Sequence, residues 1–279
     1  MKKRIFILIA SCLLLLAALG ITFYPLISTY VNEKYQSLIQ TQYEECVEEL
    51  DDARLAELWQ AAVDYNNSLS EVQYSREGLH SAAVCYEDVL NPNGSGIMGY
   101  VEIPKISVNL PIYHNADMKT LEDGAGHLLG SSLPIGGEGT HSVLSAHSGV
   151  AGKKLFSDLD QLAEGDVFYL HVLNETLAYQ VDQIHTVLPQ DSSLLTRIAS
   201  EDRCTLVTCT PFGVNTHRLL VQGVRIPYEK AIEETAETVE APSTWNQQYI
   251  RGLLIGGAIF VVCLTVFVVI CLVKRKKRK

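Results

Sequence analysis

A cysteine closes an apolar, strand-like run, Thr205-Leu206-Val207-Thr208-Cys209, and is followed by Thr210-Pro211. After a turn-forming stretch, Phe212-Gly213-Val214-Asn215-Thr216, comes a second run, His217-Arg218-Leu219-Leu220-Val221. Two strands joined this way fold back on each other, so the start of the second returns to the end of the first. Successive side chains on a strand point to opposite faces. Either His217 or Arg218 therefore faces Cys209, but hardly both. A thiol, an imidazole and a fixed cation form a set suited to acyl transfer. The thiolate attacks a carbonyl carbon, an imidazolium protonates the leaving amine, and the cation faces the developing oxyanion. Arginine suits the last task because it stays charged and presents several donors in a planar fork. Ordinary thiols and imidazoles titrate near about 8.5 and about 6.5, so such a pair works slowly, at a pH between the two. His141 and His147 lie six residues apart around the run Ser142 to His147, and strand parity admits either.

Other chemistry is set aside. None of the eight histidines is paired at helical or finger-like spacing with a second ligand, so no metal site is expected. There is no Gly-rich phosphate loop and no Gly-x-Ser-x-Gly elbow, and no cofactor is called for. Cys204, inside the same apolar run, reads as core. Cys12, Cys263 and Cys271 sit in long apolar segments, whereas Cys46 and Cys85 could pair in an oxidising exterior. Between Val31 and Ile250 there are 12 basic and 32 acidic residues, a net of 12 − 32 = −20. So acidic a middle repels phosphate, which excludes nucleic acid as a partner.

The elements that must hold these residues follow from periodicity. From Val31 to about Asn66, apolar residues recur at three- and four-residue spacing among acids and glutamines, which predicts an amphipathic helix. Turn formers at Asn91 to Gly96 mark a boundary. Beyond Gly99 the period becomes two, with strands expected at Val101–Ile103, Val108–Ile112, Ser142–His147, Val167–Val172, Leu177–Val187, Thr205–Cys209 and Arg218–Ile226. Many strands and little helix favour a closed β-barrel. Glu229 to Glu240 reads as an acidic linker.

Two uncharged segments flank this middle. Ile5 to Phe23 and Gly252 to Val273 are each long enough for a hydrocarbon layer of about 30 Å. Lys2, Lys3 and Arg4 precede the first, and six basic residues, Lys274 to Lys279, follow the second. The positive-inside rule then puts both termini in the cytoplasm and the middle outside. A cleaved signal peptide ending near Ala18-Leu19-Gly20 is the alternative for the first segment.

The run Thr205 to Cys209, an arginine nine residues on, and a histidine in Leu144-Ser145-Ala146-His147-Ser148-Gly149 together resemble the sortases, cysteine transpeptidases of Gram-positive surfaces. The likeness extends from about Gly99 to Pro227 and is greatest to class C, the pilin-polymerising enzymes. Gly99 to Ile106, Leu110 to His114, Lys154 to Leu159 and Cys209 to Arg218 carry it. The resemblance implies a mainly β fold, an eight-stranded sortase barrel with an N-terminal helical and lid extension and two flanking transmembrane helices. Its segments are 1–30, basic tip and anchor; 31–98, helical and lid region; 99–228, catalytic barrel; 229–251, linker; 252–273, second span; and 274–279, basic tail. It implies Cys209 as nucleophile, His147 as acid/base and Arg218 as oxyanion stabiliser, with Thr208, Ser145 and Ala146 as substrate contacts. The implied reaction cleaves a Leu-Pro-x-Thr-Gly-type signal between Thr and Gly, then passes the acyl group to a lysine amine of the next pilin. A wall-anchoring sortase acting on a peptidoglycan precursor is the near alternative. A non-catalytic surface or pilus scaffold is the distant one, since Glu240 to Trp245 contains no Leu-Pro-x-Thr-Gly. A recognition loop is expected between Pro189 and Arg203.

The resemblance also implies a lid before the barrel, at about Leu69 to Cys85, built in class C around an Asp-Pro-aromatic motif. This stretch contains no Asp-Pro; only Tyr74 and His80 offer a ring. Without proline, one closed pose costs more chain entropy. Alkylation of Cys209 should therefore run at nearly equal rates with and without Leu69 to Cys85. A rise of about tenfold on deletion, about 1.4 kcal/mol of protection, would instead reveal a closing lid.

Overall fold

The computed structural model describes residues 2–69, 86–150, 152–237, 252 and 254–257. It divides into two units, one of residues 1–23 and 242–279, the other of residues 24–241. The second contains the barrel.

Eight strands form where apolar residues alternate: β1 (Ile97–Ile103), β2 (Val108–Tyr113), β3 (Ala125–His127), β4 (Thr140–Ser145), β5 (Val167–Val172), β6 (Glu175–Val187), β7 (Asp202–Thr210) and β8 (His217–Ile226). They close in the order β1-β2-β3-β4-β7-β8-β6-β5, with β5 paired back to β1 through Val101 and Leu170. Closure leaves no unpaired strand edge. Val101, Ile103, Ile112, Leu144, Phe168, Leu170, Tyr179, Leu206 and Val221 fill the interior and are fully buried.

Of these strands β3 escapes sequence reading, because three residues are too few to show a period. Its Gly126 lies so near Asn115 that a Cβ would meet the Asn115 carbonyl oxygen. Strand β4 starts at Thr140 and ends at Ser145, two residues earlier at each end than the pattern suggests. His147 is consequently a loop residue.

The amphipathic stretch is two helices rather than one. Helix α1 (Lys2–Glu48) stops before Asp51, whose side chain accepts from Arg54 N at 2.8 Å and caps α2 (Asp52–Ser68). Such a cap contributes about 1 kcal/mol. Tyr43 fastens α1 to the barrel. Its hydroxyl donates to Met98 O at 2.9 Å and accepts from Leu173 N at 2.8 Å, 2% exposed. Beyond a short helix α3 (Met118–Asp123), most of the acidic stretch expected as a linker from Glu229 to Glu240 is helix α4 (Tyr228–Glu237). Its Ala231 buries against Val167, Tyr169, Ala178 and Ile226, and Thr235 meets the Tyr169 hydroxyl at 2.6 Å. A four-residue spacing of small side chains on one face explains why an acidic segment packs.

Among the described residues no helix is long and apolar enough to cross a membrane. Two transmembrane helices thus find no support in them. Helix α1 takes in Ile5 to Phe23, but many of its side chains there lie outside the described ones, as does most of Gly252 to Val273. Residues 70–85 of the expected lid also lie outside. Cys46 is a free thiol, and Cys85, its suggested partner, falls in that same stretch.

A buried polar knot joins the residues just before β1 to β3. Tyr86 Oη lies 2.8 Å from His127 Nδ1, while His127 Nε2 faces Ser132 O at 2.9 Å and Ser131 Oγ at 3.0 Å. Burial pushes His127 down to about 4, assisted by the nearby His114 and opposed by the Ser132 carbonyl. His141 is lowered by burial too. The unfolded chain binds protons on these rings near pH 6.5, whereas folded His127 resists them until about pH 4. Stability should therefore fall as pH drops through that window, by up to about 1.4 kcal/mol per pH unit for His127, and His141 adds in the same direction. Thermal unfolding from pH 7 to pH 4.5 checks this, and His127→Gln should flatten the slope.

Candidate active site

Strand β7 lies between β4 and β8, and its register with each positions the candidate residues. Antiparallel β7 and β8 pair Cys209 directly with Arg218, and Thr210 with His217. Directly opposed residues share a face with Cβ atoms about 5 Å apart. Arg218 is thus the residue that faces Cys209. His217 points the other way, its Nδ1 3.0 Å from Thr216 Oγ1.

Parallel β4 and β7 pair Ser145 with Val207. Two residues beyond Ser145, in the loop that leaves β4, stands His147, as Cys209 stands two residues beyond Val207. The path is pinned by Ala146 N donating to Val207 O at 3.1 Å and Thr208 Oγ1 donating to Ala146 O at 2.8 Å. Cys209 and Arg218 form a transverse row across β7 and β8, with His147 in the loop that leaves β4 beside them. Val187 on β6 pairs with Arg218 and extends the row.

The row lies on the barrel's outer face. Leu144, Ala146, Leu206, Leu219 and Val221 point into the main core. Val143, Val207 and Leu220, of opposite parity, pack instead under Leu194 and Leu195 of the β6–β7 connection. That connection is the stretch expected to hold a recognition loop. His147, Cys209 and Arg218 are each half-buried. They occupy the end of the outer face where the apolar cover stops.

His141 is not part of this group. It pairs with Arg203, six residues or about 20 Å along β7 from Cys209. It is 1% exposed, and its ring nitrogens lie 3.0 Å from Thr196 O and 2.6 Å from Thr205 Oγ1. Nor are the expected substrate contacts all brought to the row. Thr208 faces the interior, 4% exposed with its hydroxyl engaged, and Ala146 is buried with both backbone groups bonded inside the protein. These two hold the frame. Only Ser145, half-buried on the outer face, adjoins the row.

Arg218 is held by its own loop. Its Nη1 donates to His217 O at 3.0 Å and Asn215 O at 3.3 Å, the latter residue in a left-handed turn conformation (φ 61°). Among the described residues no carboxylate pairs with it. A surface salt bridge is therefore not its occupation, and Nε and Nη2 point to no acid. Sequence reading overlooks Ser148, whose hydroxyl donates to Cys209 O at 2.7 Å, and Val187. Ser148 stands next to His147 in sequence, yet nothing in its type announces a bond 61 residues away. Among the described residues no group of His, Cys, Asp or Glu could hold a metal ion. The arrangement can attack a carbonyl carbon, transfer a proton and hold an oxyanion.

A family model described as the sortase domain matches residues 101–226. Sortase D of Bacillus subtilis is 30% identical over 138 residues, 48% of this chain and 67% of that protein. Sortase A of Streptococcus agalactiae is 30% identical over 117 residues, and the chain spans about half of its length, 47%. Among solved structures, sortase C1 of Streptococcus agalactiae is 44% identical with a TM-score of 0.63, covering 68% of this chain and 98% of that one. A sortase C of Streptococcus pneumoniae, studied for catalysis and pilin substrate specificity, is 43% identical with a TM-score of 0.60, covering 68% and 97%.

The two cysteines of β7 should differ sharply in reactivity. Burial pushes the Cys204 thiol well up, and its side chain is wholly enclosed. Iodoacetamide should alkylate Cys209 in the folded chain and reach Cys204 only on unfolding, as mass spectrometry of tryptic fragments would show.

Proposed function

Because the chain belongs to the sortase family, we propose that it is a membrane-anchored cysteine transpeptidase that polymerises pilins. The observation that carries the reading is the direct pairing of Cys209 with Arg218 across β7 and β8, with His147 in the loop that leaves the neighbouring β4. Cys209 Sγ attacks the carbonyl carbon between Thr and Gly of a Leu-Pro-x-Thr-Gly-type signal. Arg218, with Nε and Nη2 toward the substrate, stabilises the oxyanion. His147 gives a proton to the departing glycine amine, leaving a thioacyl enzyme. A lysine amine of the next pilin then attacks, His147 takes its proton, and an isopeptide bond releases Cys209. Ser145 and the outer face toward Val187 line the acyl side.

Class C neighbours of about 40% identity support pilin subunits as substrate and acceptor. Anchorage rests on sequence: Ile5 to Phe23 and Gly252 to Val273 cross the cell membrane, with basic ends inside and the barrel outside, where membrane-held pilins meet it. A second reading, anchoring of surface proteins to peptidoglycan, is favoured by the two relatives named sortase A. Surface extracts from cells with and without this chain separate them. Loss of a ladder of covalent polymers marks a pilus polymerase, and loss of wall-bound monomers marks the other.

Cys209→Ala should abolish the acyl adduct seen by mass spectrometry with a sorting peptide. An adduct on Cys204 would overturn the assignment. Arg218→Lys keeps charge but loses the fork, and should lower turnover about 10- to 1000-fold. Unchanged turnover would move oxyanion stabilisation to backbone N–H groups.

A further inference from the structure

The His147 imidazole has no hydrogen-bond partner among the described residues. In most nucleophile–base pairs a third group orients the base. Here the ring's position must come from the backbone that carries it. The segment after β4 is secured near its start, where Phe156 N donates to His147 O at 3.1 Å and Gly149 N donates to Ser157 Oγ at 3.0 Å. Between those ties sit two left-handed glycines, Gly149 and Gly152, both at φ 76°. Glycine gives a loop the widest choice of backbone states, so beyond the turn bond from Lys153 N to Val150 O at 3.1 Å the span still needs an outside constraint.

Helix α1 supplies it. Asn32 Nδ2 donates to Gly152 O at 2.7 Å, across 120 residues of chain, and lies 3.3 Å from Ser28 Oγ one turn earlier. The helix approaches so closely that a Cβ on Gly152 would overlap Ser28 Oγ. Lys153, next along, reaches the carbonyl of Glu122 at 2.5 Å and the Asp123 carboxylate at 3.3 Å. The outer part of the His147 loop is therefore held from α1 on one side and from α3 on the other.

We propose that Asn32 is a positioning residue for the reaction: by gripping the Gly152 carbonyl it sets the loop that aims His147, so that the proton-transfer geometry depends on a helix outside the barrel. The inference rests on the role given to His147 under the proposed function. Asn32 touches neither substrate nor the reacting atoms, so its loss should affect the chemical step more than binding.

The test uses the full chain and cleavage of a Leu-Pro-x-Thr-Gly peptide. Asn32→Ala should lower kcat about tenfold, within the roughly 100-fold cost of a 1 Å misplacement, with KM changed less than about twofold. The melting midpoint should drop by no more than about 4 °C, the scale of one lost hydrogen bond in a chain of this size. A fall in melting midpoint with kcat intact would make Asn32 merely structural and overturn the inference. A second variant is independent of Asn32. Gly152→Ala, strained at this left-handed position and overlapping Ser28 Oγ, should slow kcat as well. A Gly152→Ala chain that keeps full kcat would also overturn it. His147→Ala serves as the reference. If that variant keeps full activity, the proposed role of His147 fails; if it is inactive while Asn32→Ala keeps full kcat, only the present inference does.

Discussion

The parallel pairing of β4 with β7 is the contact on which the rest of the site depends. Neither strand carries the complete row, and the chain between them builds β5 and β6 before returning. Parallel strands need such a crossover, so their pairing is long-range in sequence. Once Ser145 lies against Val207, every position beyond it is determined. A slip of one residue would turn Cys209 into the core and Thr208 outward. Three ties guard against that slip where the strand hydrogen bonds run out: Ala146 N to Val207 O, Thr208 Oγ1 to Ala146 O, and Ser148 Oγ to Cys209 O.

Electrostatics adds a second constraint. The region between Val31 and Ile250 is strongly acidic, and several of its cations pair with acids. Arg203 lies between Asp182 and Glu201, Lys105 meets Asp166 at 2.6 Å, and Lys153 meets Asp123. Arg218 has no acid partner among the described residues. It is braced through one nitrogen by carbonyls of its own turn, which orient the guanidinium without neutralising it. On the role proposed for it, a cation so held would meet a developing oxyanion with little reorganisation.

The packing beneath the row serves the same end. One face of β7 faces the barrel core through Cys204 and Leu206, fully buried, and the other packs Val207, partly buried, under the β6–β7 connection. Side chains in such layers have few alternative rotamers. Rigidity on both faces of β7 fixes Cys209 at the edge where the cover ends, half-open to substrate.

Much of this was readable from residue order. Alternating apolar residues marked seven of the eight strands, because a half-buried strand must alternate. Cys204 read as core and Cys209 as chemistry, since only the latter ends its run beside a turn. The spacing of Cys209 and Arg218 showed that one of two neighbouring residues must face the thiol. Which one, however, was a matter of register, settled when Cys209 paired with Arg218. His141 and His147 share a parity, so only their distances along β7 could separate them. The break at Asp51 and the folding of the acidic stretch into α4 also needed tertiary structure, because a cap and a packed face depend on what lies beside them. Sequence order records which side chains a strand presents; which strands stand next to it, and at what offset, is decided only when the barrel closes.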